Sequence, residues 1–234
     1  MIQWENFYLP QFSQMGSDKF DAMFSIFKKN NQPKFRDKVW KTRDIAWKQI
    51  VMEAMQAIMA SETPVICIFF PETFRQFNAY LASLNVPFQL LEPGARMEFS
   101  DKVVFIASAS FLENGELPEL VQRHSTHKMR FLFLGHYPLP LRENNLTSKL
   151  ISKFGAERSI TFWVSLEDPL MKTFGSDRIL PLLETLGVKE DECIEHDIVS
   201  KSIKNAREKI GKSVISEVEA DTEQAWFDKN FKKV

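Results

Sequence analysis

Six consecutive apolar residues, Val65-Ile66-Cys67-Ile68-Phe69-Phe70, constrain this chain more than any other feature. A strand with one wet face alternates apolar and polar side chains. A strand apolar on both faces must be covered on both, as in a parallel sheet between helices. The run is far short of the roughly 20 residues that a membrane helix needs. Its surroundings agree. Upstream, Trp47, Ile50, Val51, Ala54, Met55 and Ile58 recur at helical spacing over 42–60, with Thr42 placed to cap. Downstream, Pro71 stands where a first helical turn tolerates it. Phe74, Phe77, Tyr80, Leu81 and Leu84 then continue a helical period.

The alternation persists. Val86 to Leu91, Val103 to Ala107, Met129 to Leu134 and Ile160 to Val164 read as strands. Leu117 to Arg123 and Arg142 to Phe154 read as helices between them. Such alternation predicts a parallel α/β sheet. After Ser165 no strand is expected. Asp168 to Phe174 and Ser176 to Leu186 read as helices broken at Gly175. Val199, Ile203, Ala206, Ile210, Val214 and Val218 line one face of a longer helix. Asp168 reads as a helix cap rather than an acid or base. At the other end, Phe20, Met23, Phe24 and Phe27 suggest a short helix docking on the main body. The expected organisation is an N-terminal arm over 1–35, a sheet domain over 36–165 and a helical segment with tail over 166–234.

Composition excludes several classes. Thirty basic and 31 acidic residues leave a net charge of -1, which disfavours a nucleic-acid binder. Cys67 and Cys193 lie far apart, so a reducing compartment is the default. The N-terminus lacks a basic head and an apolar run, so no signal peptide is expected and the chain reads as cytoplasmic. With 8 glycines in 234 residues, backbone phosphate cradles are scarce. Neither a G-x-x-x-x-G-K-[ST] nor a G-x-G-x-x-G motif is present. No catalytic residue, cofactor or metal is expected. His124 and His127 have a spacing that a helix would align, but no other ligand type lies beside them. Lys201, Lys204 and Arg207 lie on a basic stretch, and Trp226 and Phe227 sit in the tail. These five are the candidates for binding a protein partner or, peripherally, anionic lipid. The tail aromatics could equally fold back on the core.

One segment resembles a known family. Phe162-Trp163-Val164-Ser165-Leu166-Glu167-Asp168-Pro169-Leu170-Met171-Lys172-Thr173-Phe174-Gly175-Ser176-Asp177-Arg178-Ile179 resembles the preprotein-translocase motor ATPase SecA. There a strand ending in F-Y-x-S-L-E-D-x-L-M-R-x-F-G-S-x-R-I leaves the second motor domain and enters a helical scaffold. Val199-Ser200-Lys201-Ser202-Ile203-Lys204-Asn205-Ala206 resembles the start of the scaffold helix. The likeness is strongest over 160–210 and extends collinearly from about 36. It implies a RecA-like sheet of the helicase second-domain type, followed by helices, and a link to protein export.

The same comparison shows what has been lost. Where the family has N-M-A-G-R-G-T-D, this chain reads Ala109-Ser110-Phe111-Leu112-Glu113-Asn114-Gly115. Where the family has paired arginines for the transferring phosphate, the chain offers Lys149 and Lys153, without a guanidinium fork. The resemblance therefore implies a non-catalytic, degenerate motor half acting as a binding or regulatory module. The alternative is half of a motor site completed in trans by a P-loop partner, with Arg142, Lys149, Lys153 or Arg158 facing the phosphate.

Overall fold

The computed structural model describes residues 35–93, 103–114, 128–155, 160–185, 187–195 and 197–231. The elements in chain order are β1 (Arg36–Trp40), α1 (Arg43–Met59), β2 (Glu62–Ile68), α2 (Pro71–Ser83), β3 (Phe88–Leu91), β4 (Val104–Ser108), α3 (Ala109–Asn114), β5 (Lys128–Leu134), α4 (Pro140–Phe154), β6 (Ile160–Ser165), α5 (Pro169–Thr173), α6 (Ser176–Thr185), α7 (Asp197–Ser213) and α8 (Glu223–Asn230). The strands form one six-stranded sheet in the order β1-β6-β5-β2-β4-β3, every pair parallel. This is the expected parallel sheet flanked by helices. Four expected features lie outside the described residues: the docking helix at Phe20 to Phe27, the helix at Leu117 to Arg123, the His124/His127 pair and Arg158.

Strand β2 shows why the sheet needs two covers. Ile66 and Ile68 point into one core with Ile50, Val51 and Ala54 of α1 and Phe77 and Leu81 of α2. Val65 and Cys67 point into the other, with Leu146 and Leu150 of α4, Ile203 and Ile210 of α7, and Trp226 and Phe227 of α8. Local signals start the helices where expected. The Thr42 hydroxyl accepts from the Ile45 amide at 3.4 Å, and Pro71 opens α2.

The sequence reading missed β1 and overextended two stripes. Strand β1 pairs only with β6 at the sheet edge. Its three charged residues, Arg36, Asp37 and Lys38, hide it from any apolar period. A single antiparallel bridge, Val39 to Ile194, covers part of that edge. Met55, assigned to the buried face of α1, is 37% exposed. Helix α7 stops at Ser213, so Val218 falls beyond it and is 52% exposed.

The tail aromatics are core residues. Trp226 is fully buried against Tyr137 and Phe227, and its indole N–H donates to Glu217 Oε1 at 2.6 Å. We expect Trp226→Ala to lower the unfolding free energy by about 3–5 kcal/mol. Lys204→Ala, on the exposed side of α7, should change it by no more than about 0.5 kcal/mol. Urea denaturation of the two variants checks this ordering.

Candidate functional site

In an open α/β sheet, ligands bind beyond the carboxyl ends of the strands, where successive connections leave in opposite directions. That point lies between neighbours β2 and β5. The connection after β2 runs through α2 on one face toward β3. The connection after β5 runs through α4 on the other face toward β6. A cleft of about 130 Å³ occupies this place, lined by Ile68, Phe70, Gly135 and His136 from the strand ends. Arg43 and Trp47 of α1, Glu72 of α2 and Asp168 wall it. Thr222, Glu223 and Gln224, at the start of α8, complete the lining.

The chain's own C-terminal segment supplies groups that a ligand would otherwise use. The Asp221 carbonyl accepts from the Glu72 amide at 3.0 Å, engaging an N–H at the start of α2. Glu223 Oε1 accepts from the Leu170 amide at 2.9 Å, tying α8 to α5. Among the described lining residues, Glu72, Asp168 and Glu223 set three carboxyls against two cationic side chains, Arg43 and His136. Polyphosphate recognition calls for cations left free, and here both already face carboxyls of the chain.

The segment that resembles the motor family builds a joint beside this cleft. At the end of β6 the Leu166 amide donates to the Trp40 carbonyl at 2.8 Å. Ser165 Oγ accepts from the Glu167 amide at 3.0 Å, and Asp168 Oδ2 accepts from the Ser165 amide at 2.8 Å. Glu167 Oε2 accepts from the Arg43 amide at 2.8 Å, and the Arg43 guanidinium lies 3.5 Å from Asp168. Gly175 takes φ 89°, a turn that side chains disfavour, and buried Ser176 donates to the Leu166 carbonyl at 2.6 Å. Asp168 thus occupies the cap position of α5 but makes no capping bond there. Its side chain reaches back to β6, which corrects the simple reading of a cap.

Beneath the cleft lies a buried charge cluster. His136 Nε2 is 3.2 Å from Asp37 Oδ1, and Nδ1 is 3.0 Å from Glu143 Oε2. Arg207 donates from Nη1 to Glu143 Oε1 at 2.7 Å and from Nε to the Tyr137 carbonyl at 2.8 Å. Burial alone would depress His136, but the Glu143 and Asp37 carboxylates outweigh it and hold the imidazole at about 9. Burial works to raise Asp37, yet His136, Ser200 and Arg207 together bring it below the usual carboxylate range. Burial raises Asp168, and burial and the Asp168 charge push Glu223 up to about 8.

The candidates of the sequence fare differently. Arg207, expected on a partner-facing surface, is 6% exposed inside this cluster. Trp226 and Phe227 are likewise buried, because the tail folds back on the sheet. Lys201 and Lys204 remain on the exposed side of α7. Arg142, expected to face a phosphate, instead donates to both Glu113 oxygens at 2.7 and 3.0 Å and lies over the Tyr137 ring. Lys149 donates to the Glu113 carbonyl, and Lys153 is exposed in the last turn of α4. Phe111 and Leu112 are buried, so α3 fills the place beyond β4. His136, Asp37 and Glu143 escaped notice because they share no motif and Asp37 lies 99 residues from His136.

No family model matches the chain. SecA proteins do, over a short stretch. That of Acidithiobacillus ferrooxidans is 57% identical over 49 residues, 21% of this chain and 5% of that protein. That of Clostridium botulinum is 56% identical over 50 residues, 21% of this chain and 6% of that protein. SecA 1 of Alkaliphilus metalliredigens is 46% identical over 56 residues, 24% and 6%. The matched part is thus about one-twentieth of those proteins' length. Among solved structures, the C-terminal part of the Fun30 ATPase domain is similar at a TM-score of 0.38 and 12% identity. The likeness covers 82% of this chain and 61% of that one and is too loose to bear on function.

The cluster gives stability a pH dependence. Between the free imidazole value of about 6.5 and the folded value of about 9, the folded state holds more protons on His136 than the unfolded chain does. Glu223 acts in the same sense from the ordinary glutamate range up to about 8. Stability is therefore expected to fall by about 4–5 kcal/mol as pH rises from 6.5 to 9, somewhat more than half of it through His136. Urea titrations across that range test it, and His136→Gln should flatten much of the slope. Glu143→Gln, which strips Arg207 and His136 of a shared partner, should cost about 3–5 kcal/mol near pH 7.

Proposed function

We propose that this chain is a non-catalytic, SecA-like binding or regulatory module linked to protein export. One observation carries the reading: the phosphate end of the sheet is satisfied from within. Arg142 and Lys149 are both engaged by Glu113. The start of α2 is met by the Asp221 carbonyl. The cleft at the switch point carries more carboxyls than cations. The joint between sheet and helices is meanwhile held by its own hydrogen bonds. A chain that preserves the joint and internally neutralises the catalytic end fits a scaffold better than an engine.

The export link rests on the SecA segment, since translocation is what those relatives' names describe. Contact with the export machinery would use surface that the fold leaves open. Among the described residues no helix is long and apolar enough to cross a membrane. The exposed lysines of α7, Lys201 and Lys204, offer one face for an acidic partner or membrane surface. Completion of a motor site in trans would require Arg142 and Lys149 to leave Glu113.

Calorimetry at millimolar ATP should give no binding heat, and the purified chain should show no ATP turnover above the uncatalysed rate. Measurable turnover that co-purifies with the monomer would defeat the proposal. Chemical cross-linking in native extract should recover export-machinery components. Lys201→Glu/Lys204→Glu should reduce that recovery several-fold if α7 is the face used. Recovery of none with the unaltered chain would remove the export link.

A further inference from the structure

The cleft at the switch point is small. Its volume of about 130 Å³ is well under the ~300 Å³ at which pockets for drug-sized molecules begin. It is close to the cavity of about 150 Å³ that takes up benzene. Such a space suits one small molecule or one head group.

The lining leaves one charge and one donor unmatched. His136 faces Asp37 and Glu143, and the Glu72 carboxylate accepts from Arg75 and Gln76 at 3.0 and 2.9 Å. Asp168 spends one oxygen on the Ser165 amide and turns the other toward the Arg43 guanidinium. Glu223 gives Oε1 to the Leu170 amide and has no ion-pair partner among the described residues. Trp163 lines the same cleft at 2% exposure, and its indole N–H finds no acceptor among the described residues. A buried donor without a partner is costly, so one at the wall of a cleft points to an occupant that brings an acceptor. Trp47, steadied edge-on by Phe77 at 5.3 Å, and Phe70 add aromatic surface, beside which a cation is favoured.

We infer that this cleft binds a small organic ammonium ion with an acceptor oxygen beside its charge. The ammonium pairs with Glu223 and the oxygen accepts from Trp163. The inference uses the cleft alone and does not draw on the export link. Burial and the Asp168 charge push Glu223 up to about 8, so at neutral pH a proton holds the place of the cation. Of the groups facing it, Asp168 after β6 opposes ionisation, while Arg43 of α1 and His136 after β5 favour it. Binding therefore releases a proton below pH 8 and tightens as pH rises.

Ethanolamine is the probe. Titrated at about pH 8.5 into the ¹⁵N-labelled chain, it should move the Trp163 indole N–H resonance saturably in the millimolar range. Ethylammonium lacks the oxygen and ethylene glycol lacks the charge, and each should bind several-fold more weakly. Glu223→Gln keeps the acceptor for the Leu170 amide but loses the charge, and should weaken ethanolamine binding several-fold. From about pH 6.5 to 8.5 the affinity of the unaltered chain should rise about tenfold, and that of the variant much less. A Trp163 resonance that ignores ethanolamine would overturn the inference. So would equal affinity for either control ligand, or in Glu223→Gln. A shift reproduced by sodium chloride at the same ionic strength would overturn it too, as simple screening.

Discussion

Four buried charges hold this architecture together. Asp37 belongs to the edge strand, His136 to the turn after β5, Glu143 to α4 and Arg207 to α7. Two cations meet two carboxylates, so the cluster is neutral. Charges taken out of water are tolerable only when paired, and each of the four has an opposite charge beside it, although Arg207 Nη2 is buried without a hydrogen-bond partner. The Tyr137 amide donates to Glu143 Oε2 at 3.1 Å and the Tyr137 carbonyl accepts from Arg207, so the turn backbone belongs to the same network. Removing one member would strand the others. Edge strand, sheet centre, α4 and α7 are therefore fixed in place by one set of contacts.

That clamp supports the proposal that the cleft above it does not take nucleotide. His136 belongs to both, lining the cleft with its charge already matched by Asp37 and Glu143. It has no unspent cationic character for a phosphate. Arg43 is directed at Asp168 and Arg142 at Glu113. The C-terminal segment then lies across the mouth and brings another carboxyl, Glu223. The shape of a ligand-binding sheet persists while its cations are directed inward.

Much of this was legible in the sequence, for a stated reason. The strand at Val65 to Phe70 could be buried only between two helical layers, and the helices around it carried apolar periods and local start signals at Thr42 and Pro71. The joint from Ser165 to Ser176 was legible as a pattern, since its hydrogen bonds are mostly local: Ser165 to Glu167 and Asp168, Ser176 to Leu166. The edge strand was not, because Arg36-Asp37-Lys38 has the look of a solvated loop until β6 and His136 are placed beside it. Nor was the burial of Arg207, which sits among lysines on a stretch that reads as one basic face.

Local sequence specifies a parallel sheet under two layers of helices, the entry into a helical segment and the absence of the phosphate-binding motifs from these residues. These follow from periodicity and from residue types close together in the chain. Which charges are spent depends on pairings made across the fold. Arg142 finds Glu113 across 29 residues, Lys149 finds it across 36, and Arg207 finds Glu143 across 64. A pairing at that range leaves no periodic trace, because it depends on where the sheet order β1-β6-β5-β2-β4-β3 sets each helix rather than on any neighbour in sequence.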